Sequence, residues 1–159
     1  MSPVARGMLV CVIHLGIVLS LGAKLLWDRS TRPRVWARAQ PFDPNLPIRG
    51  RYVRLQLEAD VRGQTVVPYG PVLLSAENGR LMAAATTEHS GVFLRSSGEG
   101  HGSVGPVAYF IPEHVADPSR RQPGEELWVE VTVPMHGPPR PIRLGVKKGE
   151  EEIVPLALD

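Results

Sequence analysis

Hydrophobic and polar residues follow two different patterns along this chain. From Met8 to Trp27 the residues are almost all apolar, and Lys24 is the charged residue among them. After Gly50, apolar and polar residues alternate with a period of two in several short segments. The unbroken apolar segment predicts a helix that crosses a membrane, and the alternation predicts half-buried β-strands.

The apolar segment 8–27 has the length and composition of a transmembrane helix, and residues 1–7 form a tail before it. About twenty residues make a helix of roughly 30 Å, which matches the hydrocarbon core of a bilayer. Its six leucines, three valines and two isoleucines favour insertion by about 3 to 6 kcal/mol in total. A cleaved signal peptide is the competing interpretation, with Met8–Leu19 as its apolar region.

His14 is an ionisable residue near the middle of this apolar segment. Such a side chain at membrane depth usually faces a partner or a cavity, which makes His14 a candidate interaction residue. The alternative is a neutral imidazole that a single helix tolerates.

Charged residues flank the apolar segment unevenly, which bears on its orientation. Arg6 precedes the segment, whereas four arginines follow it within residues 28–41. This Pro- and Arg-rich stretch is predicted to be a stalk between the membrane and the rest of the chain. The positive-inside rule, applied to these charges, favours a cytoplasmic location for the residues beyond the stalk.

Residues 42–159 are predicted to form one mainly β domain, because they suffice for a single core and are too few for two. In the segment that starts at Tyr52, the apolar residues Val53, Leu55 and Leu57 share one face of a strand, and polar residues share the other. The same alternation recurs in three later segments: Val129, Val131 and Val133; Ile142, Leu144 and Val146; and Val154, Leu156 and Leu158.

Turn-forming residues separate these alternating segments. Asn78-Gly79 predicts a type I′ hairpin that joins Val72–Glu77 to Arg80–Thr86. The Ser- and Gly-rich stretch Arg95–Gly105 is predicted to be a mobile loop. About seven to nine short strands result, which predicts a small antiparallel β-barrel or a sandwich-like domain after the single helix.

Composition narrows the chemistry of the β domain. The only cysteine, Cys11, lies in the apolar segment, so the domain has no disulfide and no thiol nucleophile. The net charge is only +2, and the basic residues form no stripe with interleaved aromatic residues, which argues against nucleic acid as a partner. The arginines after the apolar segment instead favour contact with anionic membrane lipid.

Two stretches near the start of the β domain resemble a known family. The chain has Pro-Phe-Asp-Pro at 41–44 and Arg-Gly-Arg-Tyr-Val-Arg-Leu-Gln-Leu at 49–57. This order resembles the signature of the GDYXXLXY family of bacterial membrane-anchored proteins, and residues 109–113 and 128–131 resemble its second half. Arg51 replaces the Asp of that signature and Leu57 replaces its last Tyr, so no role of those two residues transfers.

The resemblance implies a location that differs from the one favoured by the charge count. Members of the family hold their β domain outside the cytoplasmic membrane and accompany polytopic membrane proteins. The resemblance therefore implies an extracytoplasmic domain on a single-pass anchor in the inner membrane, with such a membrane protein as partner. It implies nothing about a reaction.

The signature also has a physical interpretation. The Asp43 carboxylate can accept hydrogen bonds from nearby backbone N–H groups, and Pro44 fixes its own φ angle in the turn. Gly50 permits a positive φ or a close backbone approach at the strand entrance. Tyr52 lies on the same strand face as Arg54, where its ring can cover an arginine stem. These residues form either a structural corner that docks the stalk or, with His14, an interaction surface.

Support for a serine peptidase of the signal-peptidase type is thin. Such an enzyme needs a serine nucleophile within reach of a lysine base. Asp43 occupies the position before Pro44 where that serine motif is required, and Lys147 and Lys148 flank a predicted turn.

Support for a metal site is thin as well. The domain's histidines are scattered, and neighbouring residues on a strand point to opposite faces, so Glu88-His89 and Glu113-His114 do not chelate readily. No catalytic, cofactor-binding or metal-binding residue is predicted, and no cofactor.

Two functional hypotheses follow. The first is a non-enzymatic accessory protein of the bacterial cell envelope that is anchored in the membrane and binds a polytopic membrane protein. The second is an envelope hydrolase or ligand-binding enzyme with a site near residues 88–114, where Glu88, His89, His101, Glu113 and His114 are the candidates.

Overall fold

A computed structural model of the chain describes residues 2–42, 52–63, 68–98 and 100–158. The chain divides into two units, Met1–Arg32 and Pro33–Asp159. The first is one apolar helix and the second is rich in strands, as the alternation predicts. The elements are α1 Pro3–Thr31, β1 Arg34–Pro41, β2 Tyr52–Arg62, β3 Tyr69–Glu77, β4 Arg80–Ala85, β5 Phe93–Gly98, β6 His101–Phe110, β7 Glu125–Thr132, β8 Arg140–Lys148 and β9 Val154–Pro155.

Helix α1 begins and ends at residues that explain its bounds. The side-chain oxygen of Ser2 accepts a hydrogen bond from the backbone N–H of Ala5 at 3.3 Å. Pro3 occupies the first helical position, where a backbone N–H would have no partner within the helix. Arg32 is extended at ψ 145° because Pro33 follows it and disfavours a helical conformation at the preceding residue.

The apolar side chains of α1 are exposed on all sides of the helix, as a membrane span requires. Among the described residues, α1 alone is long and apolar enough to cross a membrane, with a mean hydropathy of 2.2. A signal sequence near the N terminus meets the same criteria of length and composition.

The expected stalk at 28–41 is not a stalk. Its first four residues complete helix α1, and Arg34–Pro41 forms strand β1, so only Arg32 and Pro33 lie between helix and strand. Val35, Ala37 and Ala39 of β1 are 2–4% exposed, and the polar or large residues between them face outward. Two of the four arginines that indicated a stalk, Arg34 and Arg38, therefore lie on the outward side of an alternating strand. The β domain begins at Pro33 rather than at residue 42.

Strands β2 to β6 close into a five-stranded barrel. Around the barrel the order is β2, β4, β3, β5 and β6, and β6 pairs again with β2. The pairs are antiparallel except for β2–β4, which is parallel because the antiparallel strand β3 returns the chain between them. The alternation of apolar and polar residues cannot predict this parallel pair, because a strand has the same alternation whichever way it runs.

Strand β2 also belongs to a second sheet. Along one side it pairs with β6, and along the other it pairs first with β1 and then with β4. The β1 pairing covers residues 55–57 of β2, and the β4 pairing covers residues 60–62. Beyond β1 the sheet continues through β7, β8 and β9. We call the sheet of β1, β7, β8 and β9 the outer sheet.

The inward faces of the strands form one hydrophobic core. Most of the alternating segments in the sequence predict correctly which residues belong to it. Leu55 and Leu57 of β2, Val129 and Val131 of β7, and Leu144 of β8 have no exposed side-chain surface. The last segment departs from the pattern: β9 is only Val154–Pro155, and Val154 is 63% exposed while Leu156 and Leu158 pack against the core.

Two predictions for the loops of the barrel have different outcomes. Asn78 and Gly79 both have positive φ, at 50° and 74°, and join β3 to β4 as the type I′ hairpin requires. The stretch Arg95–Gly105 is not a mobile loop, because it contributes paired residues of β5 and β6. Its small residues serve packing instead: a Cβ atom at Gly102 would lie 2.8 Å from Leu94 Cγ inside the barrel.

We therefore expect Gly102→Ala to lower the free energy of unfolding by about 1–3 kcal/mol, because an added methyl overpacks a small filled barrel. Chemical denaturation of the full chain in detergent measures this change. Ala108→Val, which adds volume on the exposed side of the same strand, is the matched control and should change stability little. Leu94→Val in the Gly102→Ala background should recover part of the loss, and equal stability of wild type and Gly102→Ala would contradict the packing.

Candidate functional site

The outward face of the barrel and of the outer sheet holds the polar and aromatic side chains. Because residues alternate along β2, Tyr52, Arg54, Gln56, Glu58 and Asp60 lie opposite the buried Leu55 and Leu57. One groove on this face is rich in aromatic residues and another is rich in charge.

The first groove, which we call the aromatic groove, has a volume of about 540 Å³. Its lining comes from β2, β3, β5, β6 and the segments beside them: Phe42, Gln56, Tyr69, Gly91, Val92, Phe93, Arg95, Ser103, Gly105, Pro106, Pro138 and Pro139. Apolar rings make up much of this surface, and Arg95 is the one charged side chain among the described residues that line it.

A stacked aromatic pair dominates the aromatic groove. The rings of Tyr69 and Phe93 lie 5.4 Å apart and within 7° of parallel, although 24 residues separate them in the sequence. The antiparallel register of β3 and β5, which pairs Tyr69 with Arg95 and Pro71 with Phe93, brings the rings together. The pair remains open to solvent, since Tyr69 is 60% and Phe93 44% exposed.

Gln56 and Ser103 add polar atoms to the aromatic groove. Gln56 Nε2 donates to Ser103 Oγ at 3.1 Å, and the Ser103 hydroxyl donates in turn to the Arg95 carbonyl at 3.5 Å. The register between β2 and β6 shifts beside Gln56, where Leu55 pairs with Val107 and Leu57 with Val104. This bulge adds a residue to β6 and exposes Pro106 in the groove.

The second groove, which we call the charged groove, has a volume of about 450 Å³. Its lining is Trp36, Ala37, Arg38, Glu58, Asp60, Asn78, Gly79, Arg80, Leu81, His101, Trp128 and Ile153.

Opposite charges pair throughout the charged groove. Arg38 contacts Glu126 at 3.1 Å and Glu58 at 3.6 Å. Asp60 accepts from His101 Nδ1 at 2.8 Å and from Arg80 at 3.2 Å. His101 is 59% exposed and Arg80 74% exposed, so water screens these pairs and each contributes about 1 kcal/mol or less.

Cations also cover the two tryptophans beside this groove. The guanidinium of Arg143 lies 5.4 Å from the Trp36 ring, and the Lys147 ammonium lies 5.8 Å from the Trp128 ring. Arg143 Nε also donates to Glu130 at 2.6 Å. The Glu130 side chain is only 11% exposed, so this bond compensates the burial of its carboxylate.

The residues that the sequence proposed as an interaction surface fall in different parts of the chain. Asp43, Pro44 and Gly50 lie outside the described residues. His14 belongs to α1, where its Nδ1 lies 2.8 Å from the carbonyl of Val10 one turn earlier.

Tyr52 and Arg54 share the outward face of β2, as expected, and the Tyr52 ring contacts an aromatic side chain. It lies 5.7 Å from Phe110, with which the β2–β6 register pairs it, and Arg54 instead lies 5.0 Å from the ring of Phe42. Because the cross-strand neighbour is closer than the residue two positions along, pairing decides the contact.

The candidates for a hydrolase lie in three separate segments of the chain. Glu88 and His89 lie in the connection between β4 and β5, and Glu113 and His114 lie in the turns after β6, whereas His101 lies in the charged groove. Among the described residues, no three His, Cys, Asp or Glu side chains are placed to hold a metal ion. Asp60 and His101 form a carboxylate–imidazole contact, a pair that also occurs in acid–base catalysis.

Tyr109, on β6 beside the core, has a perturbed acidity. Partial burial raises the pKa of the Tyr109 hydroxyl above its usual value near 10, because the phenolate loses solvation there.

The sequence pattern does not predict the aromatic groove. Its rings come from strands that are distant in sequence, and Tyr69 and Phe93 each look like a single aromatic residue in a short strand. A usable signal exists at these positions: Tyr69 and Phe93 occupy outward positions where an alternating strand usually places polar residues.

Comparisons with protein-family models, with curated proteins and with solved structures give no match to this chain. The resemblance to the GDYXXLXY family therefore stays a prediction.

Proposed function

We propose that this chain is a membrane-anchored, non-enzymatic interaction protein of the bacterial cell envelope. Its β domain binds a polytopic membrane protein through the aromatic groove. The main support is the stacked pair of Tyr69 and Phe93, two exposed rings held side by side by the β3–β5 pairing. Clustered exposed apolar side chains on a rigid surface mark interaction sites in soluble domains.

The covalent arrangement of the chain supports a partner in or near the membrane. Only Arg32 and Pro33 lie between α1 and β1, so whatever the β domain binds is held near the membrane that α1 enters. The arginines near that junction favour anionic lipid headgroups as an additional contact.

A photoreactive amino acid in place of Tyr69 tests the interaction. Illumination of membranes that contain the full chain should give one defined crosslinked product with an integral membrane protein. The matched control is the same substitution at Val154, which is similarly exposed at 63% but lies on β9 in the outer sheet. A product of equal yield at both positions, or no product at Tyr69, would contradict an interaction through the aromatic groove.

We further propose that α1 is an uncleaved anchor in the inner membrane and that the β domain lies outside the cytoplasm. The family resemblance supports this location, while the arginines after the helix favour the opposite one. A reporter enzyme that is active only outside the cytoplasm, fused after Asp159, should be active. The fusion should also retain residues 1–31 by mass spectrometry; a silent reporter or a cleaved helix would overturn the corresponding half of this proposal.

The contact between Asp60 and His101 is a specific observation that favours the hydrolase hypothesis. Both side chains also belong to an exposed charge network that includes Arg80, and such a network accounts for the contact without catalysis. The interaction hypothesis therefore has the stronger support.

A further inference from the structure

The charge of the aromatic groove differs from that of the rest of the same face. Arg38, Arg80 and Arg143 each contact a carboxylate at 2.6–3.2 Å. Arg95, in contrast, forms no ion pair within the described parts of the chain, and none of the described residues that line the groove is an Asp or Glu. Arg54, next to the groove, contacts the ring of Phe42. The groove is thus complementary to a negative charge.

The apolar surface of the groove suits rings and extended chains. Tyr69 and Phe93 line the groove together with Pro106, Pro138 and Pro139. Proline-rich segments in the polyproline II conformation dock in such aromatic-lined grooves, since they lose little conformational entropy on binding.

The hydrogen-bonding groups of the groove suit the backbone of such a segment. A polyproline II helix makes no internal hydrogen bonds, so its carbonyl groups remain available as acceptors. The Gln56 amide uses one of its two N–H groups on Ser103 and has no other partner among the described residues, and the Arg95 guanidinium supplies further donors.

The strands beneath the groove exclude a different mode of peptide binding. Strand β5 pairs with β3 and β6, and β6 pairs with β5 and β2, so neither presents a free edge to which a β-strand could be added. A ligand must therefore lie across side chains rather than extend the sheet. Sites for anionic lipid usually contain about four to eight Lys or Arg residues, and Arg95 with Arg54 falls short of that number.

We propose that the aromatic groove binds an extended, proline-rich peptide segment that contains an acidic residue, whose prolines pack on Tyr69 and Phe93 and whose carboxylate pairs with Arg95. This inference rests on the proposed function, because it names the chemistry of the partner for the same groove.

Fluorescence anisotropy of short labelled peptides, with the full chain in neutral-lipid nanodiscs, tests this proposal. A proline-rich peptide that ends in two glutamates should bind saturably. The affinity should fall by at least about tenfold when lysines replace the glutamates of this peptide, or when alanines replace its prolines. Equal binding of all three peptides, or of none, would overturn the proposal.

Variants of the chain assign the contacts. Arg95→Glu should weaken binding of the acidic peptide by about tenfold and improve binding of the lysine peptide. Arg120→Glu, an equal charge change at a residue outside the groove and 80% exposed, should leave both affinities unchanged. Tyr69→Ala should weaken the binding of both peptides, and the temperature of thermal unfolding should stay unchanged. Equal effects of the two arginine variants would overturn the role of Arg95.

The outcomes also separate this inference from the proposed function. If the photoreactive residue at position 69 captures a membrane protein but no proline-rich peptide binds, the interaction site stands and the peptide chemistry is wrong. Binding of a short-chain anionic lipid that Arg95→Glu abolishes, without binding of the peptide, would assign the groove to lipid and overturn the inference.

Discussion

The structure of the β domain depends on strand β2, which two sheets share. Along one side it pairs with β6, and along the other its first half pairs with β1 and its second half with β4. Leu55 and Leu57, which are fully buried, lie where β1 pairs. The core that fills the barrel and the core beneath the outer sheet are therefore one cluster, and loss of β2 would remove both.

The same strand also positions the candidate site. Because side chains alternate along a strand, burial of Leu55 and Leu57 obliges Gln56 to face outward into the aromatic groove. The adjacent bulge on β6 exposes Pro106 there, and the pairing of β3 with β5 adds Tyr69 and Phe93. The groove is thus formed by paired strands, which hold its rings with little freedom. Such rigidity lowers the entropy that binding would cost.

Much of the fold follows from local pattern, but the site does not. The apolar run of α1, the alternation of β2 and β7, and the Asn78-Gly79 turn depend on residues close in sequence, and the structure agrees with each prediction. Strand β1 was mistaken for a stalk because its arginines obscured the alternation, and Arg95–Gly105 was mistaken for a loop because small residues also fill a narrow barrel. The aromatic groove depends on pairing between distant strands, which one sequence does not specify.

Amide hydrogen exchange in the full chain tests the shared role of β2 most directly. Leu55→Ala should lower stability by about 2–5 kcal/mol, because it leaves a cavity beside β1. If β2 joins both sheets into one unit, the slowest-exchanging amides of β4 in the barrel and of β8 in the outer sheet should lose protection by the same free energy. Faster exchange in β4 with unchanged protection in β8 would contradict the account.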